Sequence, residues 1–162
     1  MSQGNPRFLA STAWLAARLA DPQVRVIDCT THLPPTPDFL RYDVVPGRED
    51  FERGHIPGAA FLDIEHEVSR PHPKLHFMLP APETFAEAMS RLGVSDHTFV
   101  VCYSSANHWW ATRLWWMLRV FGHDAAAVLD GGLQKWRSEK RPIETGAATV
   151  VARGRFTARP LR

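Results

Sequence analysis

Short apolar runs alternate along the chain with segments that carry apolar residues at helical spacing. The runs are Val24–Asp28, a short one near Phe61, Phe99–Tyr103 and Ala125–Leu129. Short apolar runs bounded by turn residues are typical of strands that are buried on both faces. The pattern therefore predicts buried strands at these positions.

Helices are predicted between the strands, over about 12–20, 82–92, 108–121 and 131–136. Ser11 is a suitable N-cap for the first of them, and Pro82 fits the first turn of the second. Strands that alternate with helices need crossover connections. We therefore expect an α/β fold in which a central, mainly parallel sheet is flanked by helices on both faces.

The predicted domain covers residues 11–145. Residues 1–10 are interpreted as an N-terminal extension, and residues 146–162 as a basic linker or tail that carries four arginines. Proline-rich loops are expected at 32–47 and 69–80.

Composition narrows the classes of function. The chain has 162 residues, with 19 Lys and Arg against 17 Asp and Glu. This small net charge gives no reason to expect nucleic-acid binding, and the longest apolar stretch is too short to span a membrane. Two cysteines, Cys29 and Cys102, favour a reducing compartment, so the cytoplasm is predicted. The scattered histidines predict no metal, and no other cofactor is expected.

The loop that joins the strand at 99–103 to the next helix is the best candidate for chemistry. Its residues are Ser104, Ser105, Ala106, Asn107, His108 and Trp109. A loop of this kind can turn backbone N–H groups inward and stabilise an anion or a thiolate. The alternative is a tight connection in which Ser104 or Asn107 simply caps the helix. The sequence alone leaves both interpretations open.

Several short motifs occur in a fixed order along the chain. They are Gly54–Ala59, Val101–Ser105, Ala111–Arg119, Phe121–His123, and Val128–Gly132 with Trp136. Together they resemble the rhodanese superfamily of sulfurtransferases, in particular the N-terminal half of the two-domain thiosulfate and 3-mercaptopyruvate sulfurtransferases. The resemblance covers about 11–142 and implies a rhodanese-like three-layer domain.

In that family a cysteine opens the loop after the strand. Its thiolate accepts a sulfane sulfur, becomes a persulfide, and passes the sulfur to an acceptor such as cyanide or a thiol. The matching position here is Ser104, whose oxygen cannot become a persulfide sulfur. The resemblance therefore implies a non-catalytic structural or regulatory half, whose loop retains the ability to bind a small sulfur-containing anion.

Three alternatives remain open at the level of the sequence. A second catalytic domain in a longer protein could supply activity, or Cys29 could act as a displaced nucleophile at the end of its strand. Cys102 lies inside a predicted strand, where a cysteine is usually an inert core residue. The third alternative is that Ser104 stands in place of a native cysteine.

The resemblance also implies supporting residues. Asp28 and Arg48 match an acid and an arginine of the family, and we expect them to form a structural ion pair. His55 is expected to support its turn by hydrogen bonding. Arg162 matches an arginine that helps to bind the donor anion.

Two neighbouring tryptophans, Trp115 and Trp116, lie away from the predicted buried face of their helix. One interpretation is that neighbouring segments cover them and that Arg119 stacks on Trp115. The other is that they belong to a docking surface for a second rhodanese domain or a like subunit.

Overall fold

A five-stranded parallel sheet organises the chain. The computed structural model describes residues 5–38 and 41–159. Its strands are β1 (Leu9–Ala10), β2 (Val24–Asp28), β3 (Thr31–His32), β4 (Val45–Pro46), β5 (Ala60–Phe61), β6 (Phe99–Tyr103) and β7 (Ala126–Leu129). The sheet has the order β1-β7-β6-β2-β5, and every pairing in it is parallel. Strands β3 and β4 form a separate antiparallel ribbon.

Helices cover both faces of this sheet, as predicted. They are α1 (Thr12–Ala16), α2 (Arg48–Arg53), α3 (Ile64–Glu67), α4 (Pro82–Arg91), α5 (Trp109–Val120) and α6 (Gly132–Ser138). Alternate residues of the strands contribute to two apolar cores. One core packs against α1, α2 and α6, and the other packs against α3, α4 and α5. The structure therefore confirms the three-layer α/β arrangement.

The first helix is shorter than the sequence predicts. Ser11 caps it, accepting the N–H of Trp14 at 3.1 Å, but the helix ends at Ala16. The N–H of Arg18 donates to the carbonyl of Leu15, three residues back, which tightens the chain into a turn. The predicted helices at 82–92 and 108–121 are confirmed to within about two residues at each end.

Both ends of the predicted domain make contacts that the sequence pattern does not reveal. Leu9 and Ala10 add an edge strand to the sheet beside β7. In the tail, Phe156 is buried, and its ring packs against the ring of Phe85 with centroids 5.7 Å apart. The described part of the tail therefore lies against the body of the fold, whereas the exact domain boundaries remain a prediction.

His123 is a buried titratable residue, and its protonation makes the stability of the fold depend on pH. Its Nε2 lies 2.9 Å from the carbonyl oxygen of Thr98, and burial lowers the pKa of the imidazole below its ordinary value of 6.5. The unfolded chain therefore binds the proton more readily than the folded chain. The contribution of neutral His123 to stability is present above about pH 6.5 and is lost as the pH falls below it.

We expect His123→Gln to reduce this pH dependence, because the glutamine amide can still donate to Thr98 but does not titrate. Urea unfolding at pH 7 and pH 5 measures it. The wild type should lose more stability than the variant over this interval, by at most about 1.4 kcal/mol per pH unit. If both proteins lose the same unfolding free energy between pH 7 and pH 5, the protonation of His123 is not the cause of the pH dependence.

Within the described ranges, no helix has both the length and the apolar character needed to cross a membrane.

Candidate functional site

Three strands end side by side at one edge of the sheet. Because β2, β6 and β7 are adjacent and parallel, Asp28, Tyr103 and Leu129 lie at the same edge. Ligands of parallel sheets bind outside the carboxyl ends of the strands. The candidate loop follows the central strand β6, so the fold places it in the middle of this edge.

Ser104 lies at the start of this loop and is 5% exposed. Its Oγ accepts a hydrogen bond from the N–H of Ala106 at 3.1 Å. Ser104 also lines a cavity of about 280 Å³, together with the turn at Gly131 and Gly132. A Cβ added at Gly132 would lie 3.0 Å from the Ser104 carbonyl oxygen, so this turn packs closely on the loop.

The loop satisfies part of its own backbone. The N–H of Ser105 donates to Thr30 Oγ1 at 2.8 Å, and the N–H of Trp109 donates to Asn107 Oδ1 at 3.0 Å. The N–H groups of Asn107 and His108 find no acceptor within the described part of the chain. The N-cap position of α5 is His108, whose side chain makes no capping hydrogen bond, while the Asn107 side chain accepts the N–H of the first helical residue.

Asp28 holds the loop in place through Thr30. The Asp28 side chain is fully buried, and its Oδ1 accepts both the N–H of Thr30 at 2.9 Å and the Thr30 hydroxyl at 2.5 Å. That hydroxyl is the acceptor for the N–H of Ser105. Sequence reasoning missed Thr30, although an Asp at a strand end often accepts the N–H two residues further on in an Asx turn.

Burial raises the pKa of Asp28 above its ordinary value of 3.8. The hydrogen bonds from the hydroxyl and the N–H of Thr30 act in the opposite direction. Oδ2 has no partner of good hydrogen-bond geometry among the described residues. The carboxyl group is therefore a buried structural acid whose charged form depends on the hydrogen bonds of Thr30.

The prediction of an ion pair between Asp28 and Arg48 is wrong. No ion pair joins these two residues, both of which the structure describes. The Arg48 guanidinium instead lies 4.8 Å from the centroid of the Phe61 ring, a cation–π contact. The physical reason is that Asp28 is buried beneath the loop and already accepts two bonds from Thr30, whereas Arg48 begins α2 beside the ribbon of β3 and β4.

His55 lies in the turn after α2 and is 1% exposed. Its Nδ1 lies 2.7 Å from the carbonyl oxygen of Phe51, and its ring stacks on the Phe51 ring with centroids 3.7 Å apart. The backbone of His55 also exchanges two hydrogen bonds with Glu144. These contacts fix the turn against the segment after α6, and the imidazole lines none of the cavities beside Ser104.

Both cysteines are fully buried and carry free thiols. The Cys29 Sγ lies 3.4 Å from the carbonyl oxygen of Tyr103 and points into the same core as Cys102. Burial raises the pKa of each thiol, so the reactive thiolate form is disfavoured at both positions.

Trp115 and Trp116 differ in their surroundings. The Trp115 ring is half-buried: its Nε1–H donates to the carbonyl of Ala126 at 3.2 Å, and Arg119 lies over its face. Trp116 is 41% exposed and is covered by Arg113 on one side. Trp109, at the start of α5, is 63% exposed. Arg162 lies outside the described residues.

No group of three or more His, Cys, Asp and Glu side chains that could hold a metal ion occurs within residues 5–38 and 41–159. His72 accepts the N–H groups of Lys74 and Leu75, and His76 contacts Glu65. His72 therefore holds the conformation of its own loop, and His76 joins this loop to α3.

Comparison with known proteins agrees with this architecture. The rhodanese-like domain family matches residues 11–139. The 3-mercaptopyruvate sulfurtransferase of Escherichia coli K12 is 39% identical over 151 residues, which cover 90% of this chain and 49% of that protein. The human 3-mercaptopyruvate sulfurtransferase is 41% identical over 146 residues, which cover 86% of this chain and 46% of that protein.

A solved structure shows the same fold. The crystal structure of SseA from Escherichia coli, described as a 3-mercaptopyruvate sulfotransferase with a rhodanese fold, superposes with a TM-score of 0.83 at 36% identity. The match covers 96% of this chain and 56% of that one. The chain belongs to the rhodanese-like domain family and is related to the 3-mercaptopyruvate sulfurtransferases. It spans about half the length of these two sulfurtransferases.

Proposed function

We propose that this chain is a rhodanese domain without sulfur-transfer activity of its own, which retains an anion-binding pocket at the loop 104–109. The observation that carries this proposal is the position of Ser104. Its buried Oγ lies within the loop that follows the central strand and borders the cavity of about 280 Å³. An alcohol is a far weaker acid than a thiol, and its oxygen cannot become a persulfide sulfur.

The burial of both thiols supports the same conclusion. A displaced nucleophile must reach the sulfur donor and must ionise. Cys29 and Cys102 each have no exposed surface, and burial raises the pKa of each thiol. Cys29 is therefore a poor substitute for the missing cysteine.

The free donors at the edge of the sheet support anion binding. The N–H of His108 stands at the start of α5, and the N–H groups of Gly131 and Gly132 stand at the start of α6. None of the three has an acceptor among the described residues, and all three residues border the same cavity. Backbone N–H groups without an acceptor, such as that of His108 at the start of α5, favour a negative charge. A small sulfur-containing anion such as thiosulfate is the proposed ligand.

A second candidate function is that this chain is one half of an active sulfurtransferase. This function is favoured by the length of the related sulfurtransferases, because this chain matches only about half of each of them. In this case a second rhodanese domain, or a like subunit, would carry the nucleophile. The exposed rings of Trp109 and Trp116 offer a docking surface for this domain or subunit, and Trp115 adds to that surface the part of its ring that is not buried.

For either function we propose the cytoplasm as the compartment, a choice that the two free thiols favour.

Sulfane transfer from thiosulfate to cyanide tests the proposal. We expect no transfer by the unmodified chain and measurable transfer by Ser104→Cys, because the loop and its free donors remain in place. Ser105→Cys is the matched control: it adds a thiol one position further along, where the native hydroxyl contacts Thr30. It should stay inactive.

Activity of the unmodified chain would contradict the proposed silence of this domain. An inactive Ser104→Cys protein, folded according to its circular dichroism, would contradict the claim that the loop still holds a sulfur anion.

A further inference from the structure

Two cavities adjoin at the carboxyl edge of the sheet. The first, which we call the loop pocket, is the cavity of about 280 Å³ beside Ser104. The second, which we call the Trp115 pocket, has a volume of about 320 Å³ and is lined chiefly by Phe8, Leu9, Thr112 and Trp115. The two pockets share walls, formed by His108, Val128, Leu129 and Gly131. They are therefore neighbouring compartments rather than separate sites.

The walls of the Trp115 pocket are predominantly apolar. The edge of the Phe8 ring faces the Trp115 ring, with centroids 6.1 Å apart. Phe8 is 49% exposed and Leu9 is 61% exposed, so both present apolar surface that the core does not cover. Apolar concave surfaces of this size are the usual places where organic groups bind.

Charge at the boundary of the two pockets favours an anion at the loop end. The ionisable side chains that line the Trp115 pocket are His108 and Asp130, and Asp130 is paired with Lys135 at 2.6 Å. The loop pocket is bordered by no acidic side chain of the described residues. It is bordered instead by His108, Gly131 and Gly132, whose N–H groups have no acceptor among the described residues.

We propose that the two pockets together bind one small organic anion, whose charged head occupies the loop pocket and whose aromatic or branched aliphatic group occupies the Trp115 pocket. This inference rests on the proposed anion-binding function, since the same loop holds the head. It adds the substrate class: the preferred ligand carries an apolar group beside its anionic group, and a bare inorganic anion fills only half of the site.

A series of sulfonates tests this, because the head stays constant while the apolar group grows. Binding of methanesulfonate, benzenesulfonate and naphthalene-1-sulfonate is measured by titration calorimetry, with thiosulfate as the inorganic anion. We expect the affinity to rise along the series, by at least tenfold from the first to the last. The neutral analogue 1-naphthalenemethanol should bind at least tenfold more weakly than naphthalene-1-sulfonate.

Thr112→Phe locates the apolar group. Thr112 is exposed and lines the Trp115 pocket, so the larger ring fills that pocket without entering the core. In this variant the affinity should no longer rise from methanesulfonate to naphthalene-1-sulfonate, while methanesulfonate should bind as tightly as it does to the wild type. Thr145→Phe, at an exposed position away from both pockets, is the matched control and should behave like the wild type. Leu9→Ser, which removes apolar surface from the rim, should lower the naphthalene-1-sulfonate affinity as well.

The outcomes separate this inference from the function on which it rests. If thiosulfate and all three sulfonates bind with similar affinity, the inference is wrong and the anion site stands. The inference is equally wrong if Thr112→Phe leaves the naphthalene-1-sulfonate affinity unchanged or if the neutral analogue binds as tightly as the sulfonate. If no anion of the series binds at all, both the inference and the anion site fail.

Discussion

Phe156→Ala is expected to lower the free energy of unfolding by about 3–5 kcal/mol, although Phe156 lies in a segment whose sequence is typical of a linker. Its ring is 6% exposed and packs between Phe85 and His123, with centroid distances of 5.7 and 5.2 Å. Its N–H also donates to the hydroxyl of Ser90, on α4. Truncation to alanine leaves a cavity in the core beneath α4 and α5.

Val150→Ala provides the matched control for Phe156→Ala. Val150 belongs to the same tail and is 94% exposed, so its truncation should change the stability by less than about 0.5 kcal/mol. Both values come from urea denaturation followed by tryptophan fluorescence. A loss below about 1 kcal/mol for Phe156→Ala would mean that the tail does not pack as described.

Thr30→Val is expected to lower the free energy of unfolding by about 2–3 kcal/mol at neutral pH. The substitution preserves the shape of the side chain and removes the hydroxyl that donates to Asp28 Oδ1 and accepts the N–H of Ser105. Two buried polar groups then lose a partner. Thr31→Val is the control, because the Thr31 hydroxyl is equally buried but makes a single long bond, 3.4 Å to the Cys29 carbonyl.

The loss of unfolding free energy caused by Thr30→Val should increase as the pH rises. The hydrogen bond from the Thr30 hydroxyl lowers the pKa of Asp28, so its loss raises this pKa further above 3.8, although the N–H of residue 30 still donates to the carboxylate. The folded state then holds the proton more tightly than the unfolded state. Stability relative to the wild type therefore falls as the pH rises through the folded pKa of Asp28 in the wild type, which already lies above 3.8, and levels off above the still higher folded pKa in the variant.

A double-mutant cycle identifies Asp28 as the cause. In the background of Asp28→Asn, which cannot carry a charge, Thr30→Val should cost less and its pH dependence should vanish. A cost of the same size in both backgrounds would show that Thr30 acts independently of Asp28.

The sequence predicted the elements whose patterns are local. The strand Phe99–Tyr103 and the helix Trp109–Val120 are confirmed, because a buried strand and a long amphipathic helix each leave a periodic pattern in a single stretch of chain. The edge strand Leu9–Ala10 and the packing of Phe156 were missed. A strand of two residues has no period, and a single aromatic residue in a tail does not reveal a partner that is distant in the sequence.

The position of the candidate loop was predicted more completely than the hydrogen bonds that hold the loop in place. The motifs located residues 104–109 at the carboxyl edge of the sheet, where the structure has them. The link from Asp28 through Thr30 to Ser105 was missed, and the pairing of Asp28 with Arg48 was wrong. Opposite charges in a sequence suggest an ion pair, but burial and prior hydrogen bonds decide which partner a carboxylate reaches. These factors depend on tertiary structure.

We propose that the oxygen of Ser104 occupies the position at which this loop would otherwise hold a reactive sulfur. Mass spectrometry of the intact protein after incubation with thiosulfate tests it most directly. We predict that Ser104→Cys gains one sulfur atom, which excess cyanide removes, and that the unmodified chain gains none. A sulfur atom on Cys29 or Cys102 of the unmodified chain would contradict this claim.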